Sequence, residues 1–126
     1  MKRLLIFTLT FMLMVLGGCS KESTPDLRNV SMVGTRWRCL EEGLEMTFVS
    51  DTKVMVDYKY DGGGVGEYKK NGGNITFINF HVLTYMIEKY ESGVLSSDGR
   101  TLTVRSTHTP YGETTPIIET YTFTKR

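Results

Sequence analysis

A chain of 126 residues, 40% hydrophobic and 11% aromatic, suits one compact domain and is too short for two, since a domain takes about 100 to 200 residues. A charged fraction of 23% with a formal net charge of +1 excludes the broad basic field that holds nucleic acid without sequence preference, so no nucleic-acid partner is expected. The recurrence of Tyr, Phe, Val, Ile and Leu along the body of the chain excludes wholesale disorder.

Residues 1–18 follow the plan of a secretory signal. Lys2 and Arg3 form a positive start, and Leu4 to Leu16 is apolar apart from Thr8 and Thr10. A membrane-spanning helix needs ~20 apolar residues, so this run is too short for a permanent anchor. It ends in Leu16-Gly17-Gly18-Cys19, which resembles the lipobox of bacterial lipoproteins: an aliphatic residue, two small ones, then the cysteine whose thiol accepts a diacylglyceryl group and which becomes the new N-terminus. The resemblance implies lipidation of Cys19 and a membrane partner through its acyl chains. With Ser20 rather than Asp in second place, it also implies an envelope position at the outer membrane. Each buried methylene contributes about 0.8 kcal/mol, so several chains on one cysteine hold firmly where a single chain would be marginal. Processing removes Lys2 and Arg3 and no acid, leaving 13 Lys and Arg against 14 Asp and Glu, a formal charge of −1.

From Cys19 to Val33 the chain is polar and contains Thr24-Pro25-Asp26, which predicts a flexible tether with one short helical turn around Leu27. Beyond it hydrophobicity alternates with period two, and strands are predicted at Thr35–Glu41, Leu44–Val49, Val54–Tyr60, Val65–Lys70, Asn74–Phe80, about Tyr85–Leu95, Thr101–Ser106 and Ile117–Lys125. In the last, Ile117, Glu119, Tyr121 and Phe123 share one side. Cys39 lies two residues from Trp37 on one face of the first strand. With Cys19 taken by lipid, no intramolecular disulfide is expected, and Cys39 is expected to be buried and inert. No segment beyond the signal sustains a helical period. Eight short strands with turn residues at each break predict an all-β fold, an antiparallel barrel or sandwich.

The turns fall into two classes. If the strands run up and down, one end is laced by Ser50-Asp51-Thr52, Asn71-Gly72-Gly73 and Ser96-Ser97-Asp98-Gly99, all tight-turn residues. The other end carries Glu42-Gly43, Asp61-Gly62-Gly63-Gly64, His81 to Thr84 and the longest loop, Thr107 to Pro116. That end is the expected mouth. The same count puts Lys125-Arg126 at the closed end, beside Trp37.

Gly34-Thr35-Arg36-Trp37 resembles the opening of the small lipocalin-like members of the calycin group, with two residues rather than the usual one between Gly and Trp. Tyr121-Thr122-Phe123-Thr124-Lys125 resembles the end of the last strand in small bacterial lipoproteins with a lipocalin-like domain. The resemblance implies a small antiparallel up-and-down β-barrel of about eight strands over residues 34–126, following a signal at 1–18 and a tether at 19–33. It also implies that Trp37 plugs the closed end, with Arg126 or Lys125 packed over its indole as a cation on an aromatic face.

Catalytic chemistry is not expected. The chain has no Gly-x-Ser-x-Gly elbow and no Cys-x-x-Cys or His-Glu-x-x-His spacing, and no cofactor is implied. Gly62-Gly63-Gly64 precedes a strand, whereas a phosphate cradle needs a helix N-terminus. His81 and His108 fall in expected mouth loops near Tyr111 and Glu113. Two imidazoles and a carboxylate can hold zinc, but without a third fixed ligand these are read as rim residues and no metal is assigned. Two functions stay open. One is a barrel that binds a small apolar or amphipathic ligand through its mouth, with Tyr58, Tyr60, His81, Tyr85, His108 and Tyr111 as candidate contacts. The other is a protein-interaction module or inhibitor that grips an envelope protein with its mouth loops or tether. An eight-stranded barrel is only just wide enough for its own side chains or one small ligand. The bulk of Trp37, Phe48, Tyr58, Tyr60, Phe77, Tyr121 and Phe123 therefore points to a filled core with at most a shallow cup.

Overall fold

The computed structural model describes residues 26–126; the signal, Cys19 and the first part of the tether lie outside the described residues. Period-two alternation resolves into eight strands: β1 (Arg36–Cys39), β2 (Leu44–Phe48), β3 (Lys53–Tyr58), β4 (Gly63–Asn71), β5 (Asn74–Leu83), β6 (Ile87–Leu95), β7 (Thr101–His108) and β8 (Ile117–Lys125). Each pairs antiparallel with its chain neighbour, and β8 returns to β1 through Trp37↔Lys125 and Arg38↔Thr124, which closes the barrel. Of the barrel and the sandwich that the alternation and turn spacing leave open, the fold is the barrel, with up-and-down order.

Apolar residues at alternate positions point inward, where Trp37, Met46, Phe48, Phe80, Tyr90 and Phe123 are all at most 1% exposed. The interior is filled by these side chains. Outward positions carry Thr103, Arg105, Thr120 and Thr122, the reverse of a barrel that faces lipid with an apolar band. No helix among the described residues is long and apolar enough to cross a membrane.

Two bulges set which residues face in. In β5 the register shifts between Thr76 and Phe80, Asn79 takes a positive φ of 50°, and Phe77 and Phe80, three apart, are both buried. β6 shifts likewise between Tyr90 and Ser92, so that Tyr90 and Gly93 are both buried. A bulge adds one residue and reverses the parity beyond it. β5 therefore continues past Phe80 to Leu83 instead of ending in a loop. Its neighbour β4 begins within the glycine run, at Gly63, because the two strands approach closely there. A Cβ on Gly66 would stand 2.5 Å from that of Phe80, so the absent side chain at 66 is the space that the Phe80 ring fills.

Residues 26–33 pack against the barrel and do not extend as a tether. Leu27–Asn29 form one 3-10 turn capped by Asp26, the Leu27 N–H donates to Ser97 O at 2.9 Å, and Lys70 donates to the carbonyl of Arg28. Met32, 2% exposed, belongs to the core. The barrel thus includes residues 26–33 as well as those from 34 on, because this arm covers the closed end. The Trp37 indole N–H donates to Thr35 Oγ1 at 2.9 Å, and Thr35 in turn donates to Met32 O at 2.5 Å. Arg126 lies at the closed end, its N–H donating to Arg36 O, but it does not stack on Trp37. Its guanidinium reaches Glu45 at 2.7 Å, and a carboxylate is a stronger partner for it than an indole face.

Candidate functional site

The mouth is oblique. On one side β1 stops at Cys39, turns through Leu40–Gly43 and hands over to β2, while β3 ends at Tyr58. On the other side β5 to β8 rise further. β8 pairs with β7 along its whole length, from Thr101↔Thr124 up to His108↔Ile117, yet with β1 only at Lys125 and Thr124. Between Ile117 and Tyr121 the outer edge of β8 therefore has no strand beside it among the described residues. Below that stretch a hollow of about 670 Å³ opens at the seam, lined by Arg38, Cys39, Leu40, Glu41, Thr122 and Thr124 among others. Leu40, Ile117 and Ile118 are exposed around the edge, as are Tyr85 and Tyr111 at the neighbouring loop tips.

The inner face of the tall wall carries a polar cluster. The pairing puts Tyr90, Ser106 and Glu119 in one row, with His108 and Ile117 in the row above. Glu88, only 2% exposed, accepts from Ser106 Oγ at 3.0 Å and lies 2.7 Å from Tyr121 Oη through each carboxylate oxygen. Glu119 Oε2 stands 2.9 Å from the same hydroxyl. A phenol has one proton, so Tyr121 satisfies one carboxylate at a time. Two more polar atoms of the wall, Tyr90 Oη and His108 Nδ1, are buried with no hydrogen-bond partner among the described residues. Burial first and the Glu88 charge second push the Tyr90 phenol well above the usual tyrosine range. For Tyr121, burial and then its hydrogen bonds to Glu88 and Glu119 do the same. This face is rich in acceptors and short of protons, and so complements an ammonium, a guanidinium or an amide N–H.

The residues singled out in the sequence are not gathered at one spot. Tyr58, half-buried, and Tyr60, exposed, sit on the low wall with rings edge to face at 5.4 Å, and Lys59 Nζ lies 4.8 Å over Tyr60. Tyr85 and Tyr111 are exposed on the tall side. His81 is not in a mouth loop. It lies within β5 and faces outward, because the bulge at Asn79 turns Phe80 and Val82 inward on either side of it. His108 also stands in a strand, as the last residue of β7, so the long loop is shorter than expected and begins at Thr109. Among the described residues no three His, Cys, Asp or Glu come together to hold a metal ion.

Glu88, Tyr90, Ser106 and Glu119 were missed by motif reasoning because they form no motif. A signal existed for Glu119, a carboxylate on the apolar side of the last strand. Glu88 needed the β6 bulge to be known. Cys39 is 5% exposed and its thiol is pushed up, chiefly by burial, which leaves it a poor nucleophile.

Charge is unevenly spread along the barrel axis. Glu41, Glu42, Asp61, Glu88, Glu113 and Glu119 stand at the mouth, whereas the closed end is rich in Lys and Arg. No family model, curated protein or solved structure matches the chain.

Proposed function

We propose that the chain is a bacterial envelope lipoprotein, anchored through Cys19, whose lipocalin-like barrel is an interaction module that takes an extended segment of another envelope protein along the open edge of β8. The observation that carries this reading is the mismatch between β1 and β8, which leaves residues 117–121 without a neighbouring strand while the barrel interior is full. An unpaired strand edge offers a row of N–H and C=O groups, the template for strand addition. Native edges are commonly blunted by Pro, Lys or a bulge. Here Ile117, Ile118, Thr120 and Thr122 are β-branched and only Glu119 is charged. Acceptors on Glu88 and Glu119 favour a segment that carries a basic side chain.

A photo-activated cross-linking residue placed at 118 or 111 is expected to give one defined adduct in the native host. The same residue at 103, on the paired outer face of β7, is expected to give none. Ile118→Lys should weaken the isolated complex at least tenfold with little change in melting temperature. Equal adducts at 103 and 118 would overturn the edge as the site.

A second reading, a small amphipathic ligand with a donor head group in a shallow cup at the mouth, is favoured by Tyr90 Oη and His108 Nδ1, buried without partners above a filled core. Its test is Tyr90→Phe, which should abolish ligand copurification under this reading and leave the cross-linked complex intact under the first. Anchoring is tested separately: Cys19→Ala should abolish lipid labelling and release the protein from membranes. Unchanged membrane association of that variant would exclude the lipoprotein reading.

A further inference from the structure

The near-zero net charge of the chain conceals a charged pole. At the closed end Arg36, Lys53, Lys69, Lys70, Arg100 and Lys125 form no ion pair among the described residues, whose pairs are Arg28–Asp26, Arg38–Glu45 and Arg126–Glu45. The acids standing with them outside those pairs are Asp51, Asp98 and Glu67, the last opposite Lys53 in the register, and Asp98 Oδ1 is already engaged by Ser96 Oγ and the Arg100 N–H. The cations come from the ends of different strands and the turns between them, so they surround the base of the barrel as a ring.

The same end has apolar relief. A hollow of about 490 Å³ is floored by Met32, Trp37 and Leu95 and edged by Arg100, Lys125 and Arg126, with Asp98 as the one acid in its lining. Val30, which lines it, is exposed, as are Val33 of the arm and Val49 in the turn after β2 at the same end of the barrel. A cationic ring around a small apolar patch matches an anionic lipid surface, where phosphates meet Lys and Arg and short apolar side chains enter the headgroup boundary.

We infer that the closed end docks on an anionic membrane surface, which holds the barrel upright with its mouth turned away from the lipid. Charge complementarity is one ground and the position of chain entry is the other. The arm joins the barrel at this end through Leu27 and Ser97, and the seven peptide units from Cys19 to Asp26 span at most roughly 25 Å. A lipid on Cys19 would therefore keep this face within reach of the surface. The second ground rests on the proposed anchoring, but the first does not, and the two fail separately in the experiment below.

The test uses residues 20–126, which keep every strand of the closed barrel and lack Cys19, in sedimentation with vesicles. The protein is expected to bind vesicles of phosphatidylcholine with 30% phosphatidylglycerol, not to bind pure phosphatidylcholine, and to be released at high salt as the charges are screened. Each cation near an anionic surface contributes about fivefold in partition, the equivalent of about 1 kcal/mol. Lys69→Gln with Lys70→Gln should thus lower binding about 20- to 30-fold, and Lys125→Gln should lower it further. Leu83→Ser, exposed at the far end of β5, should leave it unchanged. Equal binding to both vesicle types, no binding to either, or loss with Leu83→Ser and not with the lysine variants would each overturn the inference. None of these outcomes bears on Cys19 labelling or on cross-linking at 118.

Discussion

Trp37→Ala is expected to remove about 3–5 kcal/mol of folding stability, the range for deleting a large aromatic from a packed core. The indole is 1% exposed and does two jobs. Its ring is packed with the core of the barrel, and its N–H is tied to Thr35 and through it to Met32. Truncation leaves a void under the arm, so Met32 loses its neighbour as well. A domain of this size has about 5–15 kcal/mol in all, so the variant should sit near the edge of folding at 37 °C. Urea titration checks the effect as a lower midpoint with an unchanged slope. Trp37→Phe separates the two jobs: it keeps most of the volume, loses the N–H bond and should cost about 1–2 kcal/mol. A loss below 1 kcal/mol for the alanine variant would show that the closed end does not depend on this plug.

How far the sequence reveals this molecule follows from what period two can and cannot carry. Val54, Val56, Leu102, Val104, Tyr121 and Phe123 alternate without interruption, and their strands and inward faces follow from spacing alone. His81 was misplaced because a bulge leaves no mark in the alternation except a break that looks like the end of a strand. Phe77 and Phe80 three apart, with Asn79 between them, were the mark to notice, since Asn tolerates a positive φ better than most residues. The arm was misread for a different reason. Residues 26–33 mix four polar with four apolar residues in no regular period, and only tertiary contact shows that Leu27 and Met32 have a surface to cover. The open edge of β8 is a fact of register between strands some eighty residues apart, which no local pattern encodes. Net charge fails in the same way: a sum near zero is silent about the separation of acids at the mouth from bases at the base.

The polar cluster in the tall wall gives the other large effect. Tyr121→Phe removes the hydroxyl that stands 2.7 Å from both oxygens of Glu88 and leaves that buried carboxylate only Ser106 as a side-chain donor. A hydrogen bond to a buried charged group contributes about 1.5–3 kcal/mol, and leaving the charge short adds its desolvation cost, so a loss of about 2–3 kcal/mol is expected at pH 7. Combining Tyr121→Phe with Glu88→Leu should recover part of it, since the double variant buries no unmatched charge; a double variant as costly as the sum of its parts would show that the two residues are not coupled. The pH dependence supplies an independent readout with a definite sign. The phenols of Tyr90 and Tyr121 are raised in the folded barrel above the ordinary tyrosine value of 10.0. Above pH 10 the unfolded chain therefore loses these protons while the folded chain keeps them. Stability linked to the two phenols is fully present below pH 10 and falls as pH rises beyond it, by up to about 1.4 kcal/mol per pH unit for each. The wild-type chain should show both contributions between pH 10 and pH 12, and Tyr121→Phe only that of Tyr90. The comparison is made as a difference between the two chains, so every other group titrating in that interval cancels. Identical slopes would mean that the Tyr121 hydroxyl is not held between Glu88 and Glu119 in solution.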